Sequence, residues 1–153
     1  KVWYLNCTHW IKDGDLMEHS YHIKYAESND GIHWEREGKV AIEYRDSTEG
    51  GISRPSVIIE DGIYKMWFSA RAKTDYRTNR DRSYRIYYAE SKDGIEWVRK
   101  DAEAGIDVSE NSSDWDYEMI EYPLVINHLD EKILFYNGNH FGQSGVGYAV
   151  LKK

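Results

Sequence analysis

One stretch of the sequence occurs twice, and this repeat constrains the fold more than any other feature. Residues 20–37 read SYHIKYAESNDGIHWERE, and residues 83–100 read SYRIYYAESKDGIEWVRK. A fainter third copy, GVGYAVLKK, occupies residues 145–153. Internal self-similarity of this kind is typical of repeat architectures, so it has to be interpreted before the individual elements.

Each full copy has the sequence pattern of a β-hairpin. In the second copy Tyr84, Ile86 and Tyr88 alternate with residues of the opposite face, as they do along a strand. The Asp93-Gly94 pair favours a tight turn, and a second strand is predicted to begin near Trp97. Tyr and Trp dominate an aromatic content of 14%, which also favours sheet.

The predicted strands group into units of four, named A to D in chain order. Unit two is complete, with strand A at 54–60, B at 63–71, C at 84–91 and D at 96–101. Unit one begins at its B strand, residues 1–10, followed by a turn-rich connection over 11–19, and unit three has A, B and C. Between the first two units, residues 43–53 are predicted to be a loop. In unit three, the segment Lys132–Phe135 aligns with Lys65–Phe68 of unit two.

This pattern predicts an all-β fold of β-propeller blades, each with four antiparallel strands. The chain would hold about two and a half blades in one partial domain, residues 1–153, with units at about 1–42, 53–102 and 120–153. A β-sandwich is the alternative, and it is less favoured because sandwiches rarely show such internal identity.

Composition excludes several kinds of partner. A net charge of −7 argues against binding nucleic acid or an anionic membrane surface, and no apolar run is long enough to cross a bilayer. The single Cys7 rules out an internal disulfide, and the histidine spacing matches no structural zinc pattern, so neither a metal nor another cofactor is predicted. A cytoplasmic location is favoured slightly, and secretion stays open if the N-terminus is truncated.

The segment RPSVIIEDGIYKMWFSAR, followed by YRIYYAESKDGIEWVRK, resembles the five-bladed propellers of the furanosidase type. That group includes glycoside hydrolase family 43, the invertases and levansucrases, and the β-mannoside phosphorylases. The resemblance covers essentially the whole chain, and it implies a sugar site on the propeller axis. It implies a pair of carboxylates as well, because glycoside cleavage generally needs one to protonate the leaving oxygen and one on the other side of the bond.

Within this resemblance, the catalytic acid is a Glu that stands two residues before a Pro, and Glu121 has that place here. The matching segment of unit two is Ser53-Arg54-Pro55, where invertase-like members carry Asp and this chain carries Arg54. The alternative for Glu121 is a buried carboxylate paired with Arg54 or Arg71 across the axis. Candidates for the second carboxylate, none at a family position, are Glu43, Asp114, Asp116 and Glu118.

Polar and aromatic residues of the loops on the same face are candidates for sugar binding, because rings stack on a sugar and amides and guanidinium groups bind its hydroxyls. They are Asn6, His9 and Trp10 from unit one, Arg54, Arg71 and Tyr76 from unit two, and Asn137, Asn139, His140 and Phe141 from unit three. An equally weighted interpretation makes the Asn-Gly-Asn segment 137–139 a turn former only.

Two functions from different classes follow from these residues. The first is a glycosidase or glycoside phosphorylase with Glu121 as proton donor, and the second is a catalytically silent propeller that binds a carbohydrate or a protein. The first Asp of the family's catalytic set would lie upstream of Lys1. Because unit one lacks strand A and unit three lacks strand D, we also expect the open sheet edges to pair with another part of a longer chain or with a second copy.

Overall fold

A computed structural model describes residues 1–151 as ten β-strands with only short helical turns. The strands are β1 (Val2–Asp13), β2 (Leu16–Ala26), β3 (Val40–Ile42), β4 (Glu49–Glu60), β5 (Ile63–Ala72), β6 (Arg85–Ser91), β7 (Val98–Arg99), β8 (Glu121–His128), β9 (Glu131–Asn137) and β10 (Val146–Leu151). The helical turns are 3₁₀ at Arg80–Arg82 and Asp101–Glu103 and a kinked α turn at Asn139–Gly142. In the described part of the chain no helix is long and apolar enough to span a membrane.

The strands form two sheets, and the predicted all-β class is confirmed. One sheet holds β1 to β7, and the other is an antiparallel sheet of β8, β9 and β10. Units one and two join in the first sheet through one parallel contact, Tyr21 beside Gly51, whereas the hairpins within each unit are antiparallel. A β-carbon at Gly51 would lie 2.7 Å from the Tyr21 ring, so only glycine allows the two strands to approach this closely.

The two full copies of the repeat fold into the same turn with the same hydrogen bonds. The Ser91 hydroxyl accepts from the Gly94 amide at 2.8 Å, and Asp93 Oδ1 accepts from the amides of Ile95 and Glu96. In the first copy, the Ser28 hydroxyl and Asp30 Oδ1 accept from the corresponding amides at nearly the same distances. The Ser-x-Asp-Gly spacing is therefore a turn that satisfies its own backbone groups.

The second turn is also the place where unit one packs on unit two. Trp3 Nε1 donates to the Gly94 carbonyl at 2.9 Å, and the Trp3 ring meets Trp97 edge-on at 5.7 Å between centroids. The adjoining core contains Ile23, Ile42, Ile52, Met66 and Phe68, all at most 1% exposed. At the first turn, by contrast, a β-carbon added at Gly31 would meet nothing within 4 Å among the described residues, so the two copies share a conformation and differ in what packs against them.

This difference gives a matched pair of substitutions. Gly31 and Gly94 both have a φ of +74°, but a β-carbon at Gly94 would lie 3.0 Å from Trp3 and 3.1 Å from Tyr64. We expect Gly31→Ala to cost about 1 kcal/mol for the left-handed backbone alone. Gly94→Ala should cost about 1–3 kcal/mol more because it overpacks the contact. Urea unfolding of both variants measures the difference in free energy of unfolding. Equal losses would show that the packing of Trp3 on the second turn tolerates the added methyl group.

A second core joins unit two to unit three. Trp67, Ile86 and Tyr88 face Val125, Leu134 and Tyr136, and all six are buried. Trp67 has the place in unit two that Trp3 has in unit one, and its Nε1 also donates to a backbone carbonyl, that of Ala104, at 3.1 Å. The three units therefore follow one another as layers, each packed on the next.

Three boundaries differ from the sequence prediction. The β1 strand runs to Asp13 and β2 begins at Leu16, so a two-residue turn with Gly14 at φ +59° replaces the predicted connection over 11–19. Strand β4 begins at Glu49, inside the predicted loop, because this segment pairs with Arg71 and Ala72. The D strands are short, and in unit one β3 begins only at Val40.

The predicted alignment of strand B in unit three is wrong by one residue. In unit two Trp67 pairs with Tyr88, and in unit three Phe135 pairs with Tyr148, so Phe135 takes the place of Trp67. A shift of one residue reverses the two faces of a strand. The correct register turns Leu134 and Tyr136 toward unit two and leaves Phe135 on the other face.

Candidate functional site

All three units contribute to one cavity of about 510 Å³, which we call the aromatic cavity. Its wall comes from β1, β2, β4 and β8, from the loop between β5 and β6, and from the helical turn before β10. Its lining residues are Leu5, His19, Tyr21, Ser53, Arg54, Tyr76, Arg77, Tyr84, Tyr122 and Phe141. Rings make up much of the wall, and the Tyr84 ring contacts Phe141 edge-on at 6.0 Å and Tyr122 at 6.2 Å between centroids.

Arg71 lies beside this cavity and ties the two copies of the repeat together. Tyr21 and Tyr84 occupy the same position in the two copies, and their hydroxyls are hydrogen-bonded to each other. Arg71 Nε donates to both hydroxyls, at 3.1 and 3.2 Å, and Nη2 donates to the His19 carbonyl at 2.6 Å. Its guanidinium carbon also lies 3.7 Å from the centre of the Tyr76 ring. Arg71 is 2% exposed, so its role is to hold the cavity wall.

Two residues that precede prolines have a left-handed backbone at equivalent places. Arg54 has a φ of 52° and Tyr122 a φ of 58°, and each lies in an irregularity of its strand pairing. Bulges of this kind redirect a side chain. Here both side chains line the cavity, and the Arg54 guanidinium carbon lies 5.6 Å from the centre of the Tyr122 ring.

Glu121 is fully buried, and neither carboxyl oxygen has a hydrogen-bond partner among the described residues. Burial raises the pKa of Glu121 to about 8, with Tyr122 acting in the opposite direction. The group is therefore largely protonated at neutral pH. It forms an ion pair with neither predicted partner, because Arg71 is bound to tyrosines and backbone and Arg54 lies over Tyr122. Glu121 itself does not line the cavity, but the next residue, Tyr122, does.

One ionised carboxylate stands near the cavity. Glu18 is buried, accepts from the Tyr76 hydroxyl at 2.6 Å and pairs with Arg77. Burial would raise the pKa of Glu18, but the bonds from Tyr76 and Arg77 outweigh it and lower that pKa overall. Burial, together with Arg71, lowers the pKa of His19, so this imidazole is neutral at neutral pH.

The remaining predicted site residues are not among those that line the cavity. In unit one, Asn6 and His9 lie on β1, where the His9 ring contacts Thr8, and the exposed Trp10 meets His19 at 5.5 Å between ring centroids. In unit three, the Asn139 amide is bound to the backbone of the loop before β8. Asn137 contacts the Phe141 carbonyl, and the exposed His140 approaches Glu118 at 3.6 Å.

The candidates for a second carboxylate have other contacts. Asp116 accepts from the Tyr136 hydroxyl at 2.9 Å, and Asp114 accepts from Ser109 and Asn111. Glu118 lies beside His140, and Glu43 is exposed. Within residues 1–151, no three His, Cys, Asp or Glu side chains cluster as a metal site would require.

Sequence reasoning missed Tyr21, Tyr84 and Tyr122, which form much of the wall. A signal for the first two was present, because the repeat places both tyrosines at the start of strand C, opposite the end of strand B where Arg71 lies. Nothing in the sequence signalled the left-handed backbone that turns Arg54 and Tyr122 inward.

Comparison with known sequences gives relatives without an assigned activity. No protein-family model matches the chain. "Uncharacterized protein MT1551" of Mycobacterium tuberculosis is 39% identical over 152 residues, which cover 99% of this chain and 46% of that protein. The chain thus spans about half the length of this curated relative.

Comparison with solved structures identifies the fold. A structure titled "Glycoside hydrolase" superposes with a TM-score of 0.67 at 20% identity, over 99% of this chain and 40% of that chain. A thermostable family-43 glycoside hydrolase gives a TM-score of 0.63 at 16% identity, over 90% and 45% of the two chains. The chain therefore has an all-β fold of the kind found in glycoside hydrolases.

Proposed function

We propose that this chain forms part of a five-bladed propeller that binds a glycan at the aromatic cavity and cleaves it with Glu121 as proton donor. The observation that carries the proposal is the state of Glu121. A buried, unpartnered carboxyl with a pKa of about 8 is protonated at neutral pH, as a general acid must be. It directly precedes Tyr122 in the wall of the cavity, on a fold shared with glycoside hydrolases.

The cavity is suited to a sugar for physical reasons. Tyr84, Tyr122 and Phe141 present rings on which the apolar face of a sugar can stack. Arg54, at the mouth, supplies N–H donors for hydroxyl or carboxylate oxygens. Because Glu121 is sealed, contact with the glycosidic oxygen requires a shift of Tyr122 or of the Glu121 side chain on binding.

A second candidate function is binding without cleavage. Two observations favour it: Arg54 stands where invertase-like proteins carry an acid, and no carboxylate lines the cavity within residues 1–151. In this alternative, Glu121 only donates a hydrogen bond to the bound glycan.

We also propose that unit three packs on a further blade, either of a longer chain or of a second copy. Its face away from unit two exposes apolar side chains along the two outer strands: Leu124 and Ile126 on β8, and Val146 and Tyr148 on β10. In the preceding interface the corresponding face of unit two, with Trp67 and Tyr88, is covered. An exposed row of this kind is typical of an interaction surface.

A glycan screen by thermal unfolding tests the proposed function. A saccharide present at about 100 times its dissociation constant should stabilise the native protein by about 2.7 kcal/mol. Tyr122→Ala should weaken that saccharide at least about tenfold, because the ring in the wall is lost. Tyr148→Ala is the matched control, since Tyr148 is 66% exposed and does not line the cavity. If no pentose, fructose or mannose oligosaccharide raises the melting temperature, or both variants bind alike, the proposed site is wrong.

A further inference from the structure

The wall of the aromatic cavity contains two neighbouring polar groups without partners. Ser53 is 2% exposed, and its hydroxyl has no hydrogen-bond partner among the described residues. Arg54 follows directly and is exposed, and within residues 1–151 its guanidinium forms no ion pair; its guanidinium carbon lies 5.6 Å from the centre of the Tyr122 ring. Buried polar groups are rarely left unpaired in a native protein, so a hydroxyl without a partner in a cavity wall is a candidate contact for a ligand or for water.

The other buried polar groups of the cavity are engaged with one another. The hydroxyls of Tyr21 and Tyr84 bind each other and Arg71, and the Tyr76 hydroxyl donates to Glu18. Arg77, the second arginine of the lining, is paired with Glu18. Arg54, with Ser53 beside it, is therefore the cationic group of the lining that is not already paired with a carboxylate.

The backbone keeps Arg54 in this position at a cost. A left-handed conformation costs a non-glycine residue roughly 1 kcal/mol or more, and the following Pro55 restricts it further. Strained residues of this kind persist where the surrounding structure holds them, and they are concentrated at ligand sites. The Arg54 guanidinium carbon lies 5.6 Å from the centre of the Tyr122 ring, close enough for a cation–π interaction.

The charge around the cavity is opposite to that of the whole chain. Arg54 and Arg77 line the cavity, and Glu18, which pairs with Arg77, is the ionised carboxylate near it, whereas the chain carries a net charge of −7. No Asp or Glu lines the cavity among the described residues. A cavity with excess positive charge in an acidic protein attracts a negatively charged ligand.

We propose that the aromatic cavity selects a sugar that carries a carboxylate, and that Arg54 binds this carboxylate with Ser53 as a second donor. A planar guanidinium matches a carboxylate through two parallel N–H···O bonds, and the rings beside it accept the sugar itself. This inference rests on the proposed glycan site and specifies its ligand class.

Calorimetric titration of the protein, as its gene encodes it, tests the inference with glucuronate and glucose as a pair. Glucuronate should bind at least about tenfold more tightly than glucose, and added salt should narrow the ratio. Arg54→Gln should bring the ratio close to one, and Arg54→Lys should leave an intermediate ratio, because the charge remains and the fork is lost. Arg36→Gln, which removes an exposed arginine outside the cavity, should leave the ratio unchanged.

The outcomes separate this inference from the proposed function. Equal affinities for glucose and glucuronate would overturn the carboxylate selectivity while leaving a glycan site in place. Inorganic phosphate that binds as tightly as glucuronate and depends on Arg54 would also overturn it, because the anion would then not belong to the sugar. Binding of neither sugar by natively folded protein would overturn the carboxylate selectivity, and the thermal screen of neutral oligosaccharides would then decide the proposed function separately.

Discussion

Replacing Glu121 by glutamine should slow glycoside cleavage by about 10²–10⁴-fold, the usual contribution of a general acid. Glutamine has nearly the same shape but has no proton to give to the departing oxygen. The loss of rate should be large for a substrate with an alkyl leaving group and small for one that releases dinitrophenolate, because dinitrophenolate departs without protonation. Steady-state rates on both kinds of substrate measure the contrast.

Glu118→Gln is the matched control for this substitution. Glu118 lies three residues earlier, is partly exposed and contacts His140 rather than the cavity. Its replacement should change neither rate by more than about twofold. A Glu121→Gln enzyme that cleaves both substrates at the original rate would eliminate the acid role and favour binding without cleavage.

The same variant has a pH signature that does not depend on activity. Because burial raises the pKa of Glu121 from 4.5 to about 8, the native state holds a proton that the unfolded state releases between these values. The free energy of unfolding should therefore fall as pH rises from about 4.5 to 8, with a contribution on the order of a few kcal/mol. In Glu121→Gln this contribution disappears, so the stability of the variant relative to the original protein should rise as the pH approaches 8. Parallel pH profiles would show that the carboxyl is solvated.

Replacing Arg71 by methionine should destabilise the protein by about 3–5 kcal/mol. The substitution leaves the His19 carbonyl and the hydroxyls of Tyr21 and Tyr84 without their donor, in a place that is almost completely buried. It also removes the cation from its position 3.7 Å above the Tyr76 ring. Denaturant unfolding, followed by tyrosine and tryptophan fluorescence, measures the loss.

Arg45→Met provides the comparison, because Arg45 also lies over a tyrosine ring but is exposed. Its guanidinium carbon is 5.6 Å from the centre of Tyr87, and its ion pair with Asp46 is solvated. Pairs of this kind contribute at most about 1 kcal/mol. If Arg71→Met costs no more than Arg45→Met, the bond network around Arg71 does not hold units one and two together.

The repeat allowed the fold to be predicted, and its limits explain the errors. The Ser-x-Asp-Gly turn is determined by side chains next to it in sequence, so both copies could be read directly. The strand-B alignment of unit three failed because apolar letters match equally well at either of two registers. Only the pairing of Phe135 with Tyr148 decides between them.

The candidate site was predictable only in part. Glu121 and Arg54 could be found from their spacing to a proline. In the structure Arg54 lines the cavity, and Glu121 directly precedes Tyr122, which also lines it. The predicted amide of Asn139 is instead bound to the backbone of a distant loop, which no local pattern reveals. The unpartnered state of Ser53 and Glu121 is a property of three-dimensional packing alone.

Arg71 has a further consequence, because units one and two are otherwise matched around it and only unit two carries an arginine at this position. Tyr21 and Tyr84 are related by the repeat, but across from Tyr21 the first unit carries Cys7, which is exposed, where the second carries Arg71. The internal symmetry of the chain is therefore broken at its centre. A molecule bound there would meet a thiol on one side and a guanidinium on the other. It would therefore have a single preferred orientation, even though units one and two are copies.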